Sequence, residues 1–569
     1  MTTRHAKIGA ALCAAHMLAA SSALANNVQV TSVTLQNIDT AADTANVQFN
    51  LSWENSWRVT SGPSNWDATW VFVKYHTGDL NWKSANLDVV DASHSLPAAA
   101  TLDMGVNGTR GMGAFIYRGA PGTGNNAWNG IKLKWNYGAD GVSDTALITL
   151  DVHAVEMVYV PQGSFFAGDG VVRAGAADIA SLIDGTVPAT AAPFKFVNAG
   201  PTIVGPVAGA ISATGLVAGA YKPVPTTFPN GFDAFYIMKY EGSQGQWAAF
   251  LNSTSNLGAV PYTFFETLVS PNPAPPAVGF PLVETWWGRQ GFYSVDNGVL
   301  NVVPIRVTGG NPVAPLPAVP TRRLVTPRWP DRAFLSTDVA ALAYLDWSGL
   351  RPMTEFEFEK AARGPVPSVA GEFAWGTSDI ALLTYAMANP APNPATSMAL
   401  LNDGLPNEAP AVNYNEAGGN AWVRATQLKA DSGLPVLGPC RVGMFAKPAY
   451  NGPTPPRIQS GAGYYGVMDL TGNLSELVAR WPFHLVTNAA ALFVADHGDG
   501  VLGTNGQQNV AGWPTTAVAF GVRGGSFEES AVPVSFRSLL GAAWPAAPAA
   551  NSIRNPGIRG VRSAPVVAP

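Results

Sequence analysis

Apolar residues recur in short runs with partial two-residue alternation over the N-terminal part of the chain. Each run is rich in β-branched and aromatic residues and is separated from the next by Gly, Asn or Asp. Such alternation is typical of half-buried strands, and the polar clusters are typical of turns. Six or more such strands favour a sandwich of two antiparallel sheets over residues 26–153. The runs are VQVTSVTLQ (28–36), ANVQFNLSW (45–53), ATWVFVKY (68–75), GAFIYRG (113–119), IKLKWNY (131–137) and ALITLDVHAV (146–155).

Tryptophan is frequent in this β-rich part. So many large aromatic side chains favour packing in the core or between the sheets, and a face that stacks on carbohydrate is the alternative. The tryptophans concerned are Trp53, Trp57, Trp66, Trp70, Trp82, Trp128 and Trp135.

The pattern changes after residue 156. The segment MVYVPQGSFFAGDG (157–170) predicts a strand, a turn and a second strand. Residues 171–230 are rich in Gly, Ala and Pro, and we interpret them as an insert with too little periodicity for regular structure. Irregular sequence returns at 253–330 and after residue 371. Long loops of this kind need metal ions or dense hydrogen bonding to hold them in place.

Three segments carry the end signals of α-helices. In FDAFYIMKYEGSQGQWAAFLN (232–252) a strand passes into a helix that Ser243 caps. Residues 337–347 predict an amphipathic helix that begins after Thr337. Thr354 and Glu357 have the spacing of a capping box, and Gly364 ends that third helix.

Length and composition add limits to this picture. A chain of 569 residues is too long for one core, so two or three domains are expected. The net charge of −5 and the lack of basic runs argue against binding of nucleic acid. Charged residues make up only 12% of the chain, about half the usual share. Two interpretations of this low charge stay open: the composition of a secreted protein, or a surface that packs against copies of itself.

The first 25 residues have the pattern of a secretory signal peptide. Arg4 and Lys7 precede a short apolar core, and Ala23-Leu24-Ala25 is a small-x-small cleavage site. Cleavage after Ala25 predicts a secreted, periplasmic or cell-surface protein. Neither this core nor any later segment is long enough to predict a membrane span. The mature chain would keep one cysteine, Cys440, and would form no internal disulfide.

Six motifs follow one another in the C-terminal part: MVYVPQGSFFAGDG (157–170), YIMKYEGSQGQWAAFLN (236–252), LRPMTEFEFEKAARG (350–364), FAWG (373–376), YYGVMDLTGNLSEL (464–477), and VRGGSF (522–527) with FRS (536–538) and GIRGVRSA (557–564). In this order they resemble the formylglycine-generating-enzyme family, also called sulfatase-modifying-factor domains. The resemblance covers residues 155–564 and implies a variant of the C-type lectin fold. The expected fold class is therefore α+β, with an N-terminal antiparallel β-sandwich (26–153) before a loop-rich lectin-like domain (155–564).

The resemblance also implies two calcium sites. In the family, one site takes two side chains and two backbone carbonyls from the loop that is GYYGVMDLTGNLSE here. The other site takes an Asn-x pair and a downstream Asp-Gly-x segment. Oxygen ligands in irregular loops suit calcium. The alternatives are a turn capped by Asp469 and a loop hydrogen bond from Asn389. The matching residues are Asp469, Gly472, Leu474 and Glu476 for the first site, and Asn389-Pro390 with Asp403-Gly404-Leu405 for the second.

The metal ligands of the family's known oxidation chemistry have no counterpart in this sequence. Its copper-dependent members use cysteines three and eight residues after the Ser of RGGS, positions that are Glu529 and Val534 here. Neither residue supplies the thiolate that copper(I) prefers. The iron-dependent members use histidines of an appended domain, and the N-terminal domain here has only scattered ones. We therefore expect neither copper nor iron, and the balance favours a protein that is not an enzyme.

The closing segments line the ligand groove in the family. The resemblance therefore implies a groove formed by Arg523, Ser526, Glu529, Arg537, Trp481 and Trp513. For Arg523 and Arg537 themselves we favour a structural role, in which they donate to loop carbonyls or to acidic partners such as Glu528. For the sequence HGDG (497–500) we favour a tight turn, and the alternative is a metal site or a general base, whose residue types it has. His497, Asp499 and Glu529 are thus the candidates for any catalysis.

Three functions stay open at this point. The first is an exported, non-catalytic protein of binding, adhesion or assembly on a calcium-stabilised scaffold, whose partner is an extracellular protein, a glycan or a copy of itself. The second is a metal-dependent oxidoreductase that acts in the groove around residues 523–537. The third is a self-assembling subunit of a surface layer or filament, which the low charge favours.

Overall fold

A computed structural model describes most of the N-terminal part and the motifs of the C-terminal part. The predicted signal peptide (1–25) lies outside the described residues. These are 27–78, 81–171, 182–184, 192–213, 221–254, 293–295, 305–306, 323–325, 333–334, 336, 338–381, 387–388, 399–400, 418–423, 439–446, 456–481, 493–514, 519–527, 532–539 and 556–565.

The described residues form mainly β-strands and few helices. The chain is therefore of the α+β class and rich in sheet. The N-terminal strands are β1 (Gln29–Asp39), β2 (Thr44–Arg58), β3 (Asp67–His76), β4 (Lys83–Ser84), β5 (Ala100–Asn107), β6 (Arg110–Arg118), β7 (Gly122–Trp135) and β8 (Leu147–Val160). The later strands are β9 (Phe165–Ala167), β10 (Leu182–Asp184), β11 (Phe194–Phe196), β12 (Ile211–Ala213), β13 (Phe235–Met238), β14 (Tyr293–Val295), β15 (Ile305–Arg306), β16 (Arg323–Val325), β17 (Arg351–Thr354), β18 (Met387–Ala388), β19 (Ala399–Leu400), β20 (Glu476–Ala479), β21 (Phe520–Arg523), β22 (Ser538–Leu539) and β23 (Gly560–Ser563). The α-helices are α1 (Gln244–Asn252), α2 (Asp338–Trp347), α3 (Glu355–Arg363) and α4 (Pro456–Gln459), with one 3-10 turn at Asp91–Ser93.

Two sheets enclose the N-terminal core. Strands β1, β2 and β7 form a three-stranded antiparallel sheet, and β3, β5, β6 and β8 belong to a larger one. Side chains alternate between buried and half-buried along most of β2, as its sequence pattern predicts. Apolar residues from both sheets then pack into a single cluster that includes Phe49, Trp135, Val73 and Ile116.

The tryptophans of this part serve mainly in packing. Trp53, Trp70, Trp82, Trp128 and Trp135 are buried, which confirms the core interpretation for them. Trp66 is half-buried, and its ring stacks on Tyr159 at 3.9 Å and on Tyr117 at 5.3 Å.

Strand β8 joins the N-terminal strands to the C-terminal motifs. It pairs with β3 without interruption from Thr149, through His153, to Val158. Its last four residues pair on the other side with β13, which in turn pairs with β23. The sequence pattern predicted two strands here, at 146–155 and from 157 onward, but the structure has one. The predicted boundary at 153–155 lies inside this strand, so one large sheet extends across it.

A second core cluster contains residues from both sides of that boundary. Trp70 of β3 lies in it, and its indole Nε1 donates to the carbonyl of Ser348, 2.8 Å away at the end of α2. The guanidinium of Arg562, from β23, lies 4.8 Å from the Trp70 ring centroid. Lys74 of β3 donates through Nζ to the carbonyl of Trp347, the last residue of α2, at 2.6 Å.

The local helix signals are confirmed where the structure describes them. Ser243 and Gln246 form a reciprocal capping box on α1, and Thr354 and Glu357 form one on α3. Gly364 follows α3 with a φ of 69°, a left-handed conformation that glycine adopts without strain. The predicted cap Thr337 lies outside the described residues. Helix α2 is buried along its last seven residues, so the amphipathic pattern predicted for it is wrong there.

The insert at 171–230 contains regular structure that its composition did not predict. Strand β11 pairs with β9, and β10 pairs with β12. Each of these strands has three residues, which is too short for a visible period in the sequence. Pairing with a partner that is distant in sequence fixes them.

We predict that the two sides of the 153–155 boundary unfold together. Trp70→Ala should lower the free energy of unfolding by about 3–5 kcal/mol, because it leaves a cavity and an unpaired carbonyl in the shared core. Calorimetry should show one transition both before and after the substitution.

The exposed change Val90→Ala is the control, and its effect should stay within about 0.5 kcal/mol. Two separate transitions, of which Trp70→Ala shifts only one, would contradict the shared core.

Candidate functional site

The loop between α4 and β20 carries the first predicted calcium site. Asp469 and Asn473 have φ values of 58° and 59°, and Gly472 has a φ of 83°. These left-handed conformations reverse the chain repeatedly over five residues. The backbone N–H of Leu474 and the side-chain amide of Asn473 both donate to the carboxylate of Glu241, which lies just before α1. The loop is therefore fixed to the start of α1 through Glu241.

Glu476 begins β20 and is completely buried. Its Oε1 accepts from Nε of Arg559 at 2.6 Å. The same guanidinium donates to the carbonyls of Met238 and Met468, so it joins three segments. The other carboxylate oxygen of Glu476, Oε2, is buried and has no hydrogen-bond partner among the described residues. Such an atom costs stability unless a further group binds it.

Three carboxyl groups, those of Glu241, Asp469 and Glu476, thus lie in one buried region, and each has a raised pKa. Burial raises the pKa of Glu476 to about 7, although Arg559 opposes the rise and Asp469 adds to it. Burial, Glu476 and Asp469 together raise the pKa of Glu241 well above its usual range. The pKa of Asp469 is raised by burial, against the hydrogen bond from the N–H of Gly443 at 2.6 Å. A cation at this place would relieve the repulsion.

The residue types of the predicted set are those that a hard cation such as calcium prefers. Asp469 and Glu476 supply carboxylate oxygens, and the predicted set adds the carbonyls of Gly472 and Leu474. The unpartnered Oε2 of Glu476 gives such an ion a ligand atom with no competing hydrogen bond. Within the described part of the chain, no group of three or more His, Cys, Asp and Glu side chains has a metal-binding arrangement. The other predicted set, Asn389, Pro390, Asp403 and Leu405, lies outside the described residues.

The arginines predicted to line a groove are buried in an ion network. Arg523 ends β21, and its guanidinium donates to Glu355 at 2.9 Å and to Glu359 at 3.0 Å. Arg537 also donates to Glu355, at 2.5 Å. Both acidic residues belong to α3, where four positions of separation place them on one face. The structure therefore brings the two arginines together, and it does so around a carboxylate.

The other predicted groove residues are Trp481, Trp513, Ser526 and Glu529, and the backbone of Trp481 contacts this network. Glu355 accepts from the backbone N–H of Trp481 at 2.8 Å, and the indole of Trp481 is buried in the shared core. Trp513 is also buried there, and its Nε1 donates to the carbonyl of Asp496. Ser526 is half-buried, and Glu529 lies outside the described residues. Val534 is buried, and its N–H donates to the carbonyl of Glu372.

The HGDG segment is a turn that packs against the end of α2. The N–H groups of Gly498 and Gly500 donate to the carbonyls of Leu350 and Asp346. The N–H of Asp499 donates to the Asp346 side chain at 3.1 Å. Nε2 of His497 accepts from the N–H of Ser563 at 3.0 Å. Burial lowers the pKa of His497 well below its usual range, and two nearby arginines lower it further.

Sequence reasoning missed the acidic partners at both places. Glu241 was not assigned to the calcium loop, because its role depends on a contact with residues more than 230 positions away. Glu355 and Glu359 were interpreted only as part of a helix motif. Their four-residue spacing in EFEFE was the available signal, since it places two carboxylates on one face of α3.

No protein-family model matches the chain, and no curated protein sequence matches it. Among the described helices, none is long and apolar enough to cross a membrane.

We predict that Glu355 makes a large, acid-sensitive contribution to stability. Burial alone would raise its pKa, but Arg537 and Arg523 lower it from 4.5 to about 2. A shift of this size corresponds to about 3 kcal/mol. Because the folded pKa is the lower one, this stabilisation is present above pH 4.5 and is lost as the pH falls towards 2. Glu355→Gln should remove it, as denaturant unfolding at several pH values would measure.

The control is Glu54→Gln, at a half-buried position, which should change stability by no more than about 0.5 kcal/mol. The difference between wild type and Glu355→Gln should shrink below pH 4.5. A small difference at neutral pH, or one that does not change with pH, would contradict the assigned role.

Proposed function

We propose that the chain is an exported binding, adhesion or assembly protein without catalytic activity, built on a calcium-stabilised scaffold like that of formylglycine-generating enzymes. Its partner would be an extracellular protein, a glycan or another copy of the chain. The observation that carries this proposal is what the motif residues bind in the structure. The arginines of the closing segments and the acidic residues of α3 bind one another in the interior. They thereby support the scaffold.

The candidates for catalysis that the structure describes are also engaged in packing. The Nε2 lone pair of His497, which a general base needs, accepts a backbone hydrogen bond. Asp499 is exposed in a turn whose backbone binds Asp346. Val534, at the position of a copper ligand in the resembled family, is a buried apolar residue. These contacts favour a non-catalytic role over the metal-dependent oxidoreductase.

The proposed domain arrangement is a β-sandwich followed by a domain with a C-type-lectin-like fold. The apolar cluster between β1–β2–β7 and the larger sheet supports the sandwich. The lectin-like part is supported by long loops that hydrogen bonds to buried, charged side chains hold in place. Export rests on the basic start, short apolar core and small-x-small site of residues 1–25.

We predict that calcium raises the melting temperature of the purified mature protein and that a chelator lowers it. Free calcium at 100 times its dissociation constant would stabilise the fold by about 2.7 kcal/mol. Glu476→Gln should remove most of this effect, because the amide replaces a ligand oxygen in the acidic cluster. Thermal unfolding with calcium and with chelator would measure it, alongside metal analysis of the protein.

The control Glu54→Gln lies far from the motif in sequence and should keep the full calcium response. Equal melting of the wild type with calcium and with chelator would contradict the calcium scaffold. Stoichiometric copper or iron, together with oxygen uptake in the presence of a thiol substrate, would contradict the non-catalytic role.

A further inference from the structure

A partly open cavity of about 270 Å³ lies where β1, β3 and β8 meet helices α1 and α2. Four of its lining residues have rings: Phe72, His153, Tyr344 and Trp347. Valine and alanine side chains supply most of the remaining lining. We propose that this cavity binds a small, uncharged aromatic compound that carries one hydrogen-bonding group, such as a simple phenol.

The rings form a wall of the kind that binds flat apolar molecules. Phe72 and Trp347 meet edge to face with centroids 5.0 Å apart, and His153 lies 4.8 Å from Trp347 and 5.1 Å from Phe72. An aromatic ligand would extend this arrangement with further offset or edge contacts. Gly245 and Gln246 also line the cavity and add polar surface beside the rings. Concave sites that combine apolar and aromatic groups with polar ones are typical of small-molecule binding.

The lining favours a ligand without charge. Among the described residues that line the cavity, His153 is the one with an ionisable base, and burial lowers its pKa. Its Nε2 lies 3.2 Å from the Ser253 hydroxyl and 3.4 Å from Asp151. Asp151 raises the pKa of His153, while Lys74 lowers it. A carboxylate or an ammonium ligand would therefore lose its hydration without a charged partner in the lining.

Tyr344 supplies the hydrogen-bonding group. It lines the cavity and is only 1% exposed. A hydroxyl at such a place forms a hydrogen bond wherever a polar group comes within reach. A phenol in the cavity would pair with it while its ring contacts Phe72 and Trp347.

The volume limits the size of the ligand. An apolar protein cavity of roughly 150 Å³ binds benzene, whereas drug-sized ligands occupy roughly 300–1,000 Å³. The present cavity therefore suits one ring with substituents or two fused rings. This inference goes beyond the proposed function and does not depend on it, because Glu241, Asp469 and Glu476 do not line the cavity.

The test is titration of the full mature protein with p-cresol, followed by ligand-observed NMR and calorimetry. We expect saturable binding at one site per chain and at least tenfold weaker binding of benzoate, its anionic counterpart. Ala249→Phe places a ring into the cavity from α1 and should weaken p-cresol binding at least tenfold. Ala41→Phe makes the same change at an exposed turn and should leave binding unchanged.

Tyr344→Phe tests the hydroxyl with little change of volume. It should weaken p-cresol binding several-fold and leave toluene binding unchanged. Circular dichroism would verify that each variant is folded. The proposal is overturned if wild type does not bind p-cresol, if benzoate binds as well, or if Ala249→Phe binds p-cresol like Ala41→Phe. Equal effects of Tyr344→Phe on p-cresol and toluene would overturn the role given to the hydroxyl.

Discussion

The buried carboxylate of Glu355 is the point on which much of the C-terminal part depends. It binds the guanidinium groups of Arg523 and Arg537 and the backbone of Trp481, so one side chain of α3 fixes three later segments. None of these charges reaches solvent, and each would be costly to bury alone. The closing motifs therefore have their positions only if α3 has formed. This dependence explains why arginine and glutamate recur in a chain with so few charged residues.

Strand β8 connects the C-terminal part to the N-terminal part through backbone pairing on both of its sides. It pairs with β3 from Thr149 to Val158, while its last four residues also pair with β13, beside the closing strand β23. Lys74 adds a second connection, because its ammonium group binds the carbonyls that end α2 and the HGDG turn. Two sequence units that differ in composition thus share backbone pairing and apolar core. Relative motion between them would break both the strand pairing and the core packing.

Local signals in the sequence predicted local structure well. The alternation in β2 and the capping boxes of α1 and α3 involve residues that are close together in the sequence, and the structure confirms them. Contacts between distant residues had no such signal. The sequence does not show that Glu241 binds the loop at Asn473, or that one strand crosses the boundary at residue 153. For the same reason the sequence favours a structural role for Arg523 without identifying its partners, which lie on α3.

The two buried acidic regions differ in charge balance, and that difference bears on function. Around α3, four carboxylates (Glu355, Glu357, Glu359, Glu372) bind four guanidinium groups (Arg351, Arg363, Arg523, Arg537). Asp469 and Glu476 of the 469–476 loop and Glu241 before α1 share Arg559, and Arg441 also lowers the pKa of Asp469. The same interior therefore neutralises one group with its own side chains and leaves the other with excess negative charge. A divalent cation would restore the balance at the second, whereas a protein side chain already does so at the first. A metal ion held there would stabilise the loop between Asp469 and Glu476.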